Sequence, residues 1–206
     1  MKILFLNGSP KSSGSASERI IESLHKSLGH PNECATLWVM GLGKEEFFDR
    51  IQGVSAVVIC FPLYADGIPS HLLRFLCGIK DEVGRLNPEV TVYAVSNNGF
   101  YEGRQNHLAL SMVRHFCDSS GIRWGRGLGI GAGGMLNEAE MGKGPLTNIG
   151  VALDELSNSI REGTGGDDFF TMPNFPKFLY KIGGHIGWVK EAKRNGLRRK
   201  DLYNRP

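Results

Sequence analysis

The 206 residues suffice for one domain of ordinary size, and 41% of them are hydrophobic, enough for a sizeable core. No run reaches the ~18–20 apolar residues of a membrane span, and the N-terminus lacks the basic region, apolar stretch and cleavage site of a secretory signal, so no integral membrane segment or removable leader is expected. The net charge of +3 hides an asymmetry, since residues 177–206 carry nine Lys or Arg against two acids while the remainder sums to −4. A basic tail on an acidic body suits nucleic acid or anionic lipid, or docks on its own protein or a partner subunit. The last is the expectation, with no nucleic-acid partner.

In chain order, KILFLN (2–7) is a short apolar strand, and Ala16 to Leu28 follows with Ile20, Ile21, Leu24 and Leu28 at helical spacing. ATLWVM (35–40) is a second strand and KEEFFDRIQ (44–52) a short amphipathic helix. VSAVVICF (54–61), the most β-branched segment, predicts a central strand covered on both faces. Pro69 opens a helix whose face is Leu72, Leu73, Leu76 and Ile79. VTVYAVSN (90–97) is a fourth strand, His107 to Cys117 a helix, RGLGIGA (126–132) a fifth, glycine-rich strand, and Leu146 to Ile160 a further helix. Something must approach the backbone of that fifth strand closely.

Strands alternating with helices predict an α/β fold with a doubly wound five-stranded parallel sheet and helices on both faces. Such sheets bind ligands outside the carboxyl ends of their strands, so the loops after strands one, three, four and five should converge. The pattern changes at Phe169. Asp167 to Phe170 reads as a loop, and the following segment holds a Gly183–Gly184 break and a stripe of Phe178, Leu179, Ile182, Ile186 and Val189 on a broken helix. Residues 1–168 are therefore expected to be the domain, and 169–206 a basic, aromatic extension packing on it or on a partner subunit. The four cysteines, Cys34, Cys60, Cys77 and Cys117, form no C-x-x-C pair, which excludes a cysteine-ligated zinc or iron–sulfur site and suits a reducing cytoplasm. Cys60 and Cys77 read as small buried thiols.

NGSPKSSGSAS (7–17) crowds five serines into the end of the first strand. A helix beginning near Ser15 to Ser17 offers unpaired N–H groups and a partial positive charge to an anion. Serine hydroxyls add donors without bulk, Gly8 and Gly14 let the backbone curl, and Lys11 can neutralise part of a dianion. The loop reads as a cradle for one terminal phosphate. A Walker loop is excluded because Ser15 stands where its lysine belongs, and the dinucleotide pattern G-x-G-x-x-G is missing here. Five serines also exceed what an ordinary N-cap requires.

FPLYADGIPSHLLRFL (61–76) supplies a stiff exit at Pro62 and a flat face at Tyr64; SNNGFYEG (96–103) supplies exposed amides and the aromatic Phe100 and Tyr101. A phosphate cradle beside two aromatic, amide-rich loops suits a planar heteroaromatic phosphomonoester, FMN being the candidate.

The segments NGSPKSSGSAS, FPLYADGIPSHLLRFL and NNGFYEGRQNHLAL resemble, in this order, the three FMN-contacting loops of the flavodoxin-like NAD(P)H-dependent FMN reductase family, and WVKEAKRNGLRRKDLYNRP resembles a tail of some members. The resemblance implies phosphate contacts from Ser9, Lys11, Ser15, Ala16 through its N–H, and Ser17. It sets Pro62, Leu63, Tyr64 and Ala65 against the isoalloxazine, with Asn97, Asn98, Gly99 and Phe100 along its other side. Hydride from NADH or NADPH, electrons passed to a quinone, nitro or azo compound, flavin or metal ion, and a homodimer or tetramer are what it implies in function. Many members have Arg where this chain has Lys11, and Asn or Thr within SAS; the cysteine cluster of the iron–sulfur branch is missing. No side chain is assigned proton-transfer catalysis, and no metal is expected.

Other patterns are decoys. Cys117 to Arg123 matches the phosphatase C-x5-R, but with the cysteine near a helix end and the arginine before a strand. Gly129, Gly131 and Gly134 satisfy G-x-G-x-x-G without a clear following helix, and read as a pocket wall. His25, His30, His71, His107, His115 and His185 form no metal spacing. Two alternatives to the reductase stand: a flavodoxin-type electron carrier, against which the basic tail argues, and a non-redox module holding another phosphorylated ligand.

Overall fold

The computed structural model describes residues 1–29, 33–198 and 201–202; His30 and part of the closing basic run lie outside the described residues. These residues form two compact units, Met1–Pro173 and Asn174–Pro206. The first unit alternates strands and helices: β1 Lys2–Asn7, α1 Ala16–Leu28, β2 Glu33–Trp38, α2 Lys44–Arg50, β3 Ala56–Pro62, α3 Ser70–Ile79, β4 Thr91–Asn97, α4 His107–Ser120, β5 Arg123–Ile130, α5 Thr147–Glu162 and β6 Phe169–Thr171. All strand pairs are parallel, in the order β2-β1-β3-β4-β5-β6.

The sheet is doubly covered because side chains alternate faces along each strand. Leu4 and Leu6 join Val57, Ile59, Val92 and Ala94 in a core under α2, α3 and α4. Ile3 and Phe5 join Val58, Cys60, Tyr93 and Val95 in a second core under α1 and α5. Helix α1 shows how the sequence specifies its place: Ser15 caps it, Glu18 stands in its first turn, and Ile20, Ile21, Leu24 and Leu28 are buried at helical spacing.

The expected five strands are six. Phe169–Thr171, read as loop and as the start of the extension, pairs in parallel with Leu128–Ile130 at the sheet edge. Three residues are too few to show a period of two, so only the edge left open by β5 reveals them. Gly129 in β5 and Gly131 just after it also have a different role from the pocket wall expected. A Cβ on Gly129 would strike the Phe170 ring, and one on Gly131 would collide with the Tyr101 carbonyl. The close partner is the chain itself, since β6 and the loop after β4 both lie directly on β5.

In the second unit, α6 spans Lys177–Arg194 without interruption through Gly183 and Gly184, where a break was expected. Each interior glycine costs only about 1 kcal/mol relative to alanine, which an 18-residue helix tolerates. Among the described residues no helix is long and apolar enough to cross a membrane. Of the cysteines, Cys60 and Cys117 are buried, whereas Cys77 is exposed rather than buried, because it lies on the solvent side of α3 opposite Leu72, Leu76 and Ile79.

Candidate functional site

Register levels the carboxyl ends of the central strands: Asn7 lies opposite Cys60, Pro62 opposite Asn97, and Asn97 opposite Ile130. The order reverses between β1 and β3, the switch point at which such sheets open a crevice.

After β1 the chain turns at Gly8, whose N–H donates to the Cys60 carbonyl at 2.8 Å. His71 Nε2 donates to the Gly8 carbonyl at 3.0 Å. A Cβ at Gly8 would meet Phe61 Cβ and Leu72 Cδ2 at 3.0 Å, so any larger residue there would have to push these side chains aside. The serines then divide. Ser12 and Ser13 are exposed with Lys11, while Ser9, Ser15 and Ser17 are buried and Ala16 is half-buried. Ser9 Oγ accepts from the Lys11 N–H at 3.2 Å, Ser15 Oγ from the Glu18 N–H at 3.1 Å, and Ser17 Oγ from Asn97 Nδ2 at 3.2 Å. In all three bonds the hydroxyl is the acceptor, which leaves its proton to donate. One competing anion stands here: Glu18 Oε2 accepts the Gly14 N–H at 2.6 Å.

After β3, Leu63 N–H donates to the Asn97 carbonyl at 2.7 Å, and Tyr64 and Gly67 exchange backbone bonds of 3.0 and 2.9 Å around a tight turn. Its central residues, Ala65 and Asp66, have φ of +47° and +60°. That is the geometry of a type I′ turn, usually made by Asn and Gly, so the two side chains hold a conformation costing each about 1 kcal/mol or more. The turn presents Tyr64, 49% exposed, at the crevice edge, with Pro62 half-buried and Leu63 packed on the core.

After β4, Gly99 and Phe100 are exposed but Asn97 and Asn98 are buried. Asn97 Nδ2 bridges Ser17 Oγ and the Phe61 carbonyl, the latter at 3.1 Å, so one side chain ties three loops together. Asn98 Nδ2 donates to the Glu102 carbonyl at 3.2 Å, while its Oδ1 is buried without a partner. The fifth loop closes the group: Gly133 N–H donates to the Asn98 carbonyl at 2.6 Å, and Ala132 N–H to the Phe100 carbonyl at 2.5 Å. Asn137 Nδ2 reaches the Gly14 carbonyl at 3.3 Å.

All four loops thus converge, and every residue singled out from the sequence stands on one of them or on the strand or helix end that borders it. Sequence reasoning missed Asn7, Glu18, His71 and Asn137. Asn7 Oδ1 accepts the Ser9 N–H at 3.0 Å, and its Nδ2 is buried without a partner. Glu18 three residues after Ser15 is a capping-box spacing, a signal that was there to be found; His71 and Asn137 carry no local signal.

Neither buried cysteine is poised as a nucleophile. Burial pushes the Cys60 thiol well above its ordinary range, and burial together with Asp118 pushes Cys117 up to about 12. Arg123, the other half of the phosphatase-like spacing, pairs with Glu89 at 3.0 Å.

Three solved structures share this architecture. The apo form of an NADH:FMN oxidoreductase aligns with TM-score 0.59 and 14% identity over 80% of this chain and 90% of its own. A NADPH-quinone reductase from P. pentosaceus gives 0.58 and 13% over 76% and 98%, and a flavodoxin of Streptococcus pneumonia TIGR4 gives 0.57 and 11% over 80% and 100%. The fold is flavodoxin-like. No protein-family model matches the chain, and no curated protein matches it significantly. In the flavodoxin-like sheet the β1–β3 switch point lies among these loops, which carry the buried Ser9, Ser15 and Ser17 and the exposed Tyr64 and Phe100.

Proposed function

We propose that the protein is an FMN-dependent oxidoreductase that takes reducing equivalents from NADH or NADPH and passes them to a small-molecule acceptor. It would act in the cytoplasm as a homodimer or larger assembly. The observation that carries this reading is the trio of buried hydroxyls, Ser9, Ser15 and Ser17, each accepting a hydrogen bond from the protein, Ser17 from Asn97 Nδ2, and each keeping a proton for an outside acceptor.

The residues fit FMN in charge and in shape. Three hydroxyl protons, the α1 N-terminus with the Ala16 N–H, and Lys11 suit a terminal phosphate. Asn98 Oδ1, an orphaned buried acceptor, suits an imide N–H, and Tyr64 with Phe100 suits the faces of a large planar ring. Pro62, Leu63 and Ala65 would line one side of that ring, and Asn97 and Gly99 the other. When bound, FMN would supply the hydride and electron chemistry. The protein's part is positional. Asn97 holds the phosphate end and the ring end of the crevice at a fixed separation, and the strained turn at Ala65–Asp66 holds Tyr64 outward. Leu63 on the core and the buried Phe61 beneath keep water from the floor.

The names of the NADH:FMN oxidoreductase and NADPH-quinone reductase neighbours support the same class. An apolar groove of about 550 Å³ between α3 and α4, flanked by the exposed Leu73, Leu108 and Met112, supports the assembly. Light scattering showing a monomer would remove that element.

The deciding experiment is an absorbance spectrum after FMN addition and desalting, followed by anaerobic NADH or NADPH. Bands near roughly 375 and 450 nm should be retained and then bleached by one nucleotide. Loss of the flavin on desalting overturns the cofactor. Flavin retained but unbleached by either nucleotide leaves an electron carrier instead.

A further inference from the structure

Helix α6 belongs to the second unit, and its surface has its own logic. Phe178, Leu179, Ile182, Ile186 and Val189 recur at steps of one, three and four, which gathers them on one arc at 3.6 residues per turn. The arc is not covered: Phe178, Ile182 and Ile186 are 64, 52 and 50% exposed. Lys190 and Lys193, with His185, rim a shallow concavity floored by Ile186 and Val189.

The charge says what fits this face. Among the described residues, Lys181, Lys190 and Lys193 form no ion pair. In Met1–Pro173, by contrast, many acids are answered locally, with Glu45 and Glu82 on Arg85, Glu89 on Arg123, Glu140 on Lys143 and Glu155 on Arg126. A second copy would bring another segment of the same strong positive charge, and two such helices repel. The matching surface is one of dense, unpaired negative charge over an apolar interior.

We propose that α6 docks the protein on the surface of an anionic lipid bilayer. The Phe178–Ile182–Ile186 arc enters the boundary between headgroups and acyl chains, and Lys181, Lys190 and Lys193 meet the lipid phosphates. An amphipathic helix flanked by lysines binds in this way, lying in the interface plane without spanning it. Eighteen residues give about 27 Å of helix along the surface.

The test is flotation of the full chain with vesicles of phosphatidylcholine alone or with about one-third phosphatidylserine. The protein should float with the anionic vesicles, stay behind with the neutral ones, and be released by high salt. The double variant Lys190→Gln, Lys193→Gln, which changes only exposed side chains, should lower the partition coefficient roughly 25-fold, about fivefold per lysine. Ile182→Glu should abolish binding with an unchanged circular dichroism spectrum. Binding should be the same with and without FMN, so its failure is separate from failure of the flavin reading. Equal binding to both vesicles, or to neither, overturns the proposal. So does light scattering in which Ile182→Glu dissociates an oligomer without lipid, because a second copy then covers the arc.

Discussion

Two polar clusters flank β4, one towards each end, and they are finished differently. Towards the amino end, Tyr93 sends its hydroxyl between the Ser159 and Thr164 carbonyls, both at 3.0 Å, where α5 terminates. Alongside, Arg126 reaches Glu155 at 2.9 Å and Asp168 Oδ1 accepts the Gly127 N–H at 2.7 Å. At the carboxyl end, Asn97 Nδ2 is used twice, but Asn98 Oδ1 and Asn7 Nδ2 have no partner and three serine hydroxyls keep a proton. The first cluster is closed and holds α5 to the sheet. The second is held in shape by its own bonds yet still has capacity for more, as a binding site must. An orphan atom alone does not mark a site: Ser120 Oγ, Trp124 Nε1 and Ser157 Oγ also lack partners, and the structure offers no reason for theirs. What distinguishes the carboxyl end is that the ends of β1 and β4 both bring spare capacity to the switch point.

The sharpest way to break this contrast is to remove one hydroxyl at the open end. Ser17→Ala should weaken FMN retention roughly tenfold to a hundredfold, the worth of a hydrogen bond to a charged group. Stability should change little, since Asn97 Nδ2 keeps the Phe61 carbonyl. Fluorescence titration with FMN and urea unfolding read the two effects separately. Unchanged flavin affinity would place the phosphate elsewhere.

At the closed end the pattern should invert. Tyr93→Phe should cost about 1–2 kcal/mol of stability and leave flavin affinity alone. This contribution has a pH signature. Burial pushes the Tyr93 phenol up to about 12, with Arg123 pulling slightly the other way, while an unfolded tyrosine titrates near 10. The folded state therefore favours the protonated phenol. Its contribution is complete below pH ~10 and is lost as the pH rises through about 12, so the gap between wild type and variant should close across that window. A gap independent of pH would assign the loss to packing instead.

The smallest effect concerns the competing carboxylate. Glu18→Gln removes a negative charge from the Gly14 N–H at the mouth of the serine loop. FMN should bind about two- to fivefold tighter, with a loss of up to ~1 kcal/mol in helix stability from the weakened first turn. Unchanged affinity would show that the phosphate does not approach that amide.

How much of this was legible beforehand depended on range. The β-branched run that became β3, the periodic helices and the serine loop express local preferences, and the chain carries them whatever its neighbours do. The loops that would meet followed from parallel topology, which local patterning also implies. Edge strand β6, the exposure of Cys77, and the burial of Asn97 and Asn98 were not legible, because each depends on what lies opposite. Phe169–Thr171 is a strand only because β5 leaves an open edge, and Gly129 and Gly131 are needed only because Phe170 and Tyr101 arrive over them. Asn97 and Asn98 read as exposed amides, since a two-asparagine turn is usually wet; tertiary contact with Ser17 and Phe61 made Asn97 a buried tie. The alternation of elements and the chemistry of the first loop reside in neighbouring residues and can be read from them alone. Which polar groups are spent and which remain free to bind emerges with the fold, because satisfying a buried donor or acceptor takes a partner from elsewhere in the chain.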